Sequence, residues 1–317
     1  MPRPPDYHSF SRYLAAKKTL DDRSLNRHVW DCLRRAVQGR PEPAPLRVLE
    51  VGCGVGTMIE RLLAWGLLTE AVYTAIDAQP QYLAAARERL RGLAAAPESS
   101  AAAKAEPLLI QNQAAKVLVK LEAMDLFDFI ARERGHASWD LLVAHAFLDL
   151  VDLPAALPQM FSLLRRGRGG GRGGKGGMFY FTLNFDGATI FEPTLDPGLD
   201  RQIVNLYHAT MDRRRTRGRP SGDSRTGRRL FGHLKAAGAR VLAAGSSDWV
   251  VFPGEAGYPG EEDYVLHFII ETIREALEGH PELDPGPFND WIEARHRQIE
   301  AGQLIYIAHQ LDFFGYI

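Results

Sequence analysis

The run Val48-Leu49-Glu50-Val51-Gly52-Cys53-Gly54-Val55-Gly56-Thr57 decides how the rest of the chain is read. Leu46 to Val51 is a short apolar stretch that reads as a buried strand, and glycines turn the chain after it. Thr57-Met58-Ile59-Glu60 has the Ser/Thr-x-x-Glu spacing of a capping box, which predicts a helix from Thr57 through Trp65 that Gly66 ends. A strand that passes into a helix through glycines lets backbone amides approach a ligand closely; a tight turn with no ligand is the competing reading. Thr57 stands where a dinucleotide fingerprint carries its third glycine, so a nicotinamide or flavin cofactor fits this Gly-x-Gly-x-Gly spacing poorly.

Outward from this turn, short apolar runs alternate with helical patterns. Ala71 to Ile76 is a second strand, and Pro80 fits the first turn of a helix that runs through Arg91. A third strand lies near Lys116 to Met124, a fourth is Trp139 to Ala144, and a fifth is Met178 to Leu183. The alternation predicts an α/β, Rossmann-like doubly wound sheet, mostly parallel, with helices on both faces. Asp77 follows the second strand, 25 residues after Gly52, where a carboxylate can accept both hydroxyls of a ribose or simply start a turn. Asp125 follows the third strand and can meet a base ring or cap the short helix holding Phe127 and Phe129; Glu122 competes with it for the first role. Asp149 and Asp152 read as helix caps, Asp152 for the helix that holds Met160 to Leu164. Cys53, between two glycines, reads as packing rather than chemistry.

The whole chain bounds the function. Its 317 residues are 45% apolar, ample for a large core, and 38 Lys and Arg against 39 Asp and Glu give a formal charge of -1. No global field favours nucleic acid or a membrane surface. Cys32 and Cys53 cannot build a disulfide framework, and no Cys or His spacing matches a structural zinc site, so no metal is expected and a reducing cytoplasm is. The N-terminus lacks the apolar core of a signal peptide, and no run is long enough to span a bilayer.

The remaining segments decorate the sheet. Residues 1–44 read as an N-terminal helical segment ahead of one domain spanning 45–317. Residues 94 to 107 are a low-complexity connection, and Gly167 to Gly177, with eight glycines, reads as a mobile surface loop with only a faint likeness to RNA-binding Arg-Gly tracts. Cap insertions are expected near 187–220 and 254–301, the second with helices around Glu262 to Leu277 and Phe288 to Ala301. Between them a helix from Thr226 to Ala237 and a strand from Ala239 to Phe252 resume the pattern, and Gln303 to Tyr316 is a last strand.

The run from Glu50 to Thr57, Asp77, Asp125, and Trp139-Asp140-Leu141-Leu142-Val143-Ala144-His145-Ala146-Phe147-Leu148-Asp149 together resemble class I S-adenosylmethionine-dependent methyltransferases, over about residues 45 to 186. The closing strand, with the helix and strand before it, suits that family's antiparallel hairpin. The resemblance implies S-adenosylmethionine as cofactor. By it, Gly52, Gly54 and Gly56 line its methionine and ribose part, Asp77 holds the ribose, Asp125 contacts the adenine amino group, and Glu50 orients the methionine ammonium indirectly.

Methyl transfer from a sulfonium is an in-line displacement whose donor needs no activation, so the protein supplies mainly alignment and electrostatics. His145, beyond the fourth strand, can take a proton from a hydroxyl or amine acceptor, or be a hydrogen-bonded wall. Asn184-Phe185-Asp186-Gly187 follows the fifth strand and points at the same sheet edge. Tyr207 and His208, with Met211, share a helix in the first insertion that suits a substrate lid or plain core packing. Eight arginines against two aspartates fall between Asp212 and Arg229, of which Arg213 to Arg219 read as a solvated surface. Pro220 to Arg229 mixes hydroxyls, glycine amides and arginines ahead of a helix; Arg225 and Arg228 then bind an anionic acceptor, or the stretch is a capped helix start. The expected function is methyl transfer to a small metabolite, anionic if these arginines bind it, with no membrane partner. Two alternatives stand beside it: an RNA or protein methyltransferase, opposed by the neutral charge and the absence of interleaved stacking aromatics, and a scaffold that retains the cofactor pocket.

Overall fold

A computed structural model describes residues 7–40, 44–93, 107–136, 138–167, 176–216 and 218–317. Most of the low-complexity connection at 94–107 and of the glycine run from Gly167 to Gly177 lies outside them. The helices are α1 (Phe10–Ala16), α2 (Lys18–Ser24), α3 (Arg27–Gln38), α4 (Thr57–Ala64), α5 (Pro80–Arg91), α6 (Leu126–Arg132), α7 (Leu153–Phe161), α8 (Pro197–Asp212), α9 (Thr226–Ala236), α10 (Glu262–Leu277) and α11 (Pro285–Glu300). The strands are β1 (Leu46–Val51), β2 (Glu70–Asp77), β3 (Leu108–Gln111), β4 (Lys116–Ala123), β5 (Leu141–His145), β6 (Met178–Glu192), β7 (Arg215–Thr216), β8 (Arg219–Pro220), β9 (Arg240–Ser246), β10 (Trp249–Val251) and β11 (Ile305–Tyr316).

The main sheet runs β10-β11-β6-β5-β1-β2-β4-β3, with β9 also on β11. Strands β6, β5, β1, β2 and β4 are parallel, while β3 and β11 are antiparallel to their neighbours. Chain order reverses between β1 and β5, which opens a crevice at their carboxyl ends. Both sheet faces are covered. One core packs α3, α4 and α5 through Leu33, Leu62 and Leu90; the other packs α6, α7 and α9 through Phe129, Met160 and Leu234. The strands are buried on both sides, as their nearly unbroken apolar sequences require.

A third core lies off the sheet's crevice end. Ala16, Leu20 and Leu25 from the N-terminal helices meet Ile203 and Leu206 of α8, Ile270 of α10 and Ile292 of α11 there. The N-terminal helices and both expected insertions therefore share one apolar cluster, which rests on the far halves of β6 and β11.

Several local expectations need correction. Thr57 is not a cap: Gly56 is the N-cap of α4, in the left-handed region at φ 77°, with no side-chain cap bond. Glu60 turns away to accept from Arg89 at 2.8 Å. The first insertion begins late, because residues 187 to 192 continue β6 opposite β11. The strand expected over 239–252 is two strands: at the break, Asp248 Oδ1 takes the Gln310 amide at 3.1 Å and so satisfies the ladder with a side chain. Strand β3 lacks a forecast because only Leu108 and Ile110 of its four residues are apolar and buried.

Candidate functional site

A cavity of about 680 Å³ occupies the crevice, within the usual range for small-molecule sites. Its floor is the carboxyl edge of β1, β2 and β5: Glu50, Gly52 and Gly54, then Asp77, then His145 to Phe147. Asp125 and Phe127 close one end. The cover comes from sequence-distant parts, with Phe10, Leu14 and Lys17 from the N-terminal helices and Thr216, Pro220 and Ser221 from the β7–β8 hairpin.

The glycine turn is shaped by close approaches. Gly52, Gly54 and Gly56 all have positive φ, at 68°, 52° and 77°. A Cβ on Gly52 would lie 2.2 Å from Phe147 Cδ2, and one on Gly54 would meet Leu14 Cδ1 at 3.0 Å. Gly56 differs. It is not on the cavity wall, and its nearest neighbour is Ala86 Cβ of α5, so its role is helix packing rather than ligand contact. After β5 the chain bends through Ala146, a non-glycine residue at φ 49°, and Phe147 then covers Gly52.

Asp77 accepts from the Gly54 and Gln79 amides, each at 2.9 Å. A carboxylate has about four lone-pair sites, so two remain for a ligand's hydroxyls. Burial raises its pKa, opposed by those two amides. Glu50, 1% exposed, accepts from the Tyr73 hydroxyl at 2.8 Å, and burial pushes its carboxyl up to about 8. Asp125 caps α6 through the Phe127 amide at 2.8 Å and still lines the cavity, so both readings of it hold. Glu122 is instead paired with Arg132 at 2.6 Å, away from this wall. Burial also raises the Cys53 thiol well above its ordinary value, which leaves it unreactive. Asp152 sits at the N-cap of α7 without a side-chain cap bond and lines the cavity.

His145 is a wall. Its Nδ1 lies 2.8 Å from Thr182 Oγ1 and its Nε2 lies 3.1 Å from Asp21 Oδ2. Burial lowers it to about 4, against the pull of Asp21. Both ring nitrogens are committed and the ring is neutral at pH 7, a poor general base. Asp21 also accepts from Lys17 Nζ at 2.6 Å and Trp249 Nε1 at 3.1 Å, with Arg61 4.0 Å away. Burial would raise the Asp21 carboxyl, but Lys17 and His145 outweigh it and hold the group well below its ordinary range.

The expected acceptor residues fall elsewhere. Arg228 binds Asp186 through Nε at 2.9 Å and the Asp186 carbonyl through Nη2 at 2.6 Å, while Gly227 packs on Asn184. Neither Arg225 nor Arg228 lines the cavity; the stretch serves the start of α9, with only Pro220 and Ser221 reaching the wall. Tyr207 packs against the third core, and His208 bonds Thr189 at 3.0 Å with its ring edge-on to Phe185. Neither of these lines the cavity. Asn184 donates to the Leu311 carbonyl inside the sheet rather than at the pocket. Among the described residues no group of His, Cys, Asp or Glu could hold a metal, and no helix is long and apolar enough to cross a membrane.

One topological observation decides the fold: β11, last in sequence, enters antiparallel between β6 and the β9–β10 edge of an otherwise parallel sheet. The strand order is the one that the resemblance to class I methyltransferases implies, a mostly parallel doubly wound sheet with a closing antiparallel strand. No protein-family model matches the chain, and no curated protein matches it in sequence. Among solved structures it is similar to phosphoethanolamine N-methyltransferase 2 of Haemonchus contortus, at 12% identity and a TM-score of 0.40 over 98% of this chain, and it spans only 60% of that one. It is also similar to the YcgJ protein of Bacillus subtilis, at 14% identity and a TM-score of 0.44 over 90% of this chain and 98% of that one. The cyclopropane synthase MmaA2 of Mycobacterium tuberculosis matches at 9% identity and a TM-score of 0.42, over 97% of this chain and all of the other. Likenesses this distant carry no argument, and the reading of the fold rests on the strand order.

Proposed function

We propose that the chain transfers a methyl group from S-adenosylmethionine to a small-molecule acceptor inside the cavity. The observation that carries this reading is the pairing of the turn at Gly52 and Gly54 with the Asp77 carboxylate on one wall at the sheet's switch point. The turn lines the cavity where an amino-acid tail would lie, and Asp77 keeps two acceptor sites for ribose hydroxyls. Glu50 would hold the tail's ammonium, and the wall of Asp125 and Phe127 would take the base. When bound, the cofactor supplies an activated methyl group.

The chain's own work is then alignment and exclusion of water. Leu14 and Phe147 narrow the space over the glycine turn, while Thr216 and Ser221 close the hairpin side. A cavity of about 680 Å³ is of the size that takes a metabolite. Within this reading His145 anchors the N-terminal cover through Asp21 and takes no proton. Incubation with methyl-labelled S-adenosylmethionine and fractionated extracts tests the function. Label should enter a small-molecule fraction; label found only in RNA or protein would overturn the acceptor class.

A further inference from the structure

Lys17 is a charged cavity-wall group supplied from outside the sheet. Phe10, Leu14 and Lys17 are spaced four and three residues apart, so they form a single stripe along α1 and into the residue that caps it. Leu14 is seated on Gly54, which presses this stripe against the glycine turn. The β1–β5 register pairs Val51 with Ala144 and so puts His145 beside Gly52. Asp21 joins His145 to Lys17. The Lys17 ammonium is thereby held at the switch point.

Its side chain is only 5% exposed, and taking an ammonium out of water is expensive unless its protons find partners. An ammonium has three donors. Among the described residues Lys17 has one hydrogen-bond partner, Asp21, and that carboxylate also serves His145 and Trp249. The Trp249 ring lies 5.5 Å from the ammonium on one side. Lys17 also lines the wall of a cavity large enough for a ligand, which could supply the remaining acceptors.

We propose that Lys17 is a carboxylate anchor, binding a ligand carboxylate in the cavity while Asp21 holds the ammonium in place. This rests on the reading of the cavity as an S-adenosylmethionine site. Two carboxylates are chemically equivalent candidates: that of the cofactor's amino-acid tail, and one carried by the acceptor against the apolar wall of Leu14, Phe147 and Leu150.

The test compares ligands that differ in the carboxylate. S-adenosylhomocysteine has the amino-acid tail and 5′-methylthioadenosine lacks it, so the ratio of their affinities within one variant is insensitive to general damage to the fold. In Lys17→Met this ratio should fall at least tenfold below the parent's, and Lys17→Arg, which keeps the charge, should recover part of it; that result places the cofactor's carboxylate on Lys17. If the ratio is unchanged but S-adenosylhomocysteine-saturated parent binds phenylacetate and Lys17→Met does not, the anchor serves the acceptor. An unchanged ratio with no Lys17-dependent phenylacetate binding overturns the proposal and leaves Lys17 as a strut for Asp21. Failure of the parent to bind S-adenosylhomocysteine at all would instead overturn the cofactor reading, and this inference with it.

Discussion

The floor of the cavity and its cover are built by different rules. Glu50, Gly52, Gly54 and Asp77 lie within 28 residues and reach the floor because two adjacent parallel strands, β1 and β2, end side by side. Phe10, Leu14 and Lys17 meet Thr216 and Ser221 across some two hundred residues of chain, brought together by the third core beneath them. The floor is a consequence of backbone geometry, so glycines and a strand-end carboxylate announce it. The cover is a consequence of packing, and no short motif encodes it.

Substitutions in the floor should therefore do most to cofactor binding. Gly52→Val is expected to have the largest effect: it forces a β-branched residue to φ 68° and drives its Cβ into the Phe147 ring. Left-handed strain of about 1–2 kcal/mol and overpacking of about 1–3 kcal/mol fall on the turn itself, and the displacement they force should cost roughly thirtyfold or more in S-adenosylhomocysteine affinity, read by calorimetry beside a thermal melt. Unchanged affinity would show that Phe147 and the turn simply move aside.

Asp77→Ala comes next. Losing charge-assisted hydrogen bonds worth about 1.5–3 kcal/mol should weaken S-adenosylhomocysteine roughly ten- to a hundredfold without unfolding the chain. A folded variant with parental affinity would move the ribose contact to another group.

Sequence reading reached most of the sheet because buried parallel strands are apolar runs with few alternatives. It placed α10 at Glu262–Leu277 and began α5 at Pro80 and α9 at Thr226. It failed where a tertiary contact replaced a local rule. Gly56 rather than Thr57 is the N-cap of α4, in a left-handed conformation and with α5 packed closely against it. Arg228 looked like an anion ligand by composition, but Asp186, 42 residues earlier, claims it. His145 was legible as a residue of this edge, read as a general base or a wall, whereas its partner Asp21, 124 residues away, was not. The stripe of Phe10, Leu14 and Lys17 left one usable signal, a four-then-three spacing ahead of the first strand. Nothing local said which surface that stripe would cover.

A third, smaller effect separates the two regions by pH. Burial holds the Glu50 carboxyl near 8, so the free protein carries its proton at pH 6 to 7.5. Binding an ammonium there must release that proton, and affinity for S-adenosylhomocysteine should rise with pH over this window by up to about tenfold per unit. Glu50→Gln should flatten the rise. The same raised value means that the folded state binds the extra proton, so Glu50 stabilises the fold progressively less as pH climbs from about 4.5 to 8. Glu50→Gln should accordingly narrow the difference in Tm between pH 6 and pH 8. An equally steep pH dependence of affinity in the variant would assign the proton to another group.

The smallest effects should come from the arginines outside the wall. Arg225→Ala and Arg228→Ala are expected to leave S-adenosylhomocysteine affinity within about twofold, because neither side chain lines the cavity. Arg228 is about half exposed but its partner Asp186 is buried, so removing the guanidinium leaves a buried carboxylate short of donors and should lower stability by about 1–3 kcal/mol. A tenfold loss of affinity in either variant would mean that the cover extends beyond the β7–β8 hairpin to the start of α9.

The central claim is that the floor is built for an S-adenosyl ligand, and calorimetric titration of the intact chain with S-adenosylmethionine, S-adenosylhomocysteine and NAD tests it most directly. One-to-one binding of the first two and much weaker binding of NAD are expected, because Thr57 stands in place of the third dinucleotide glycine and Asp77 is fixed on the glycine turn by the Gly54 amide. NAD binding as tight as that of either S-adenosyl ligand would contradict it.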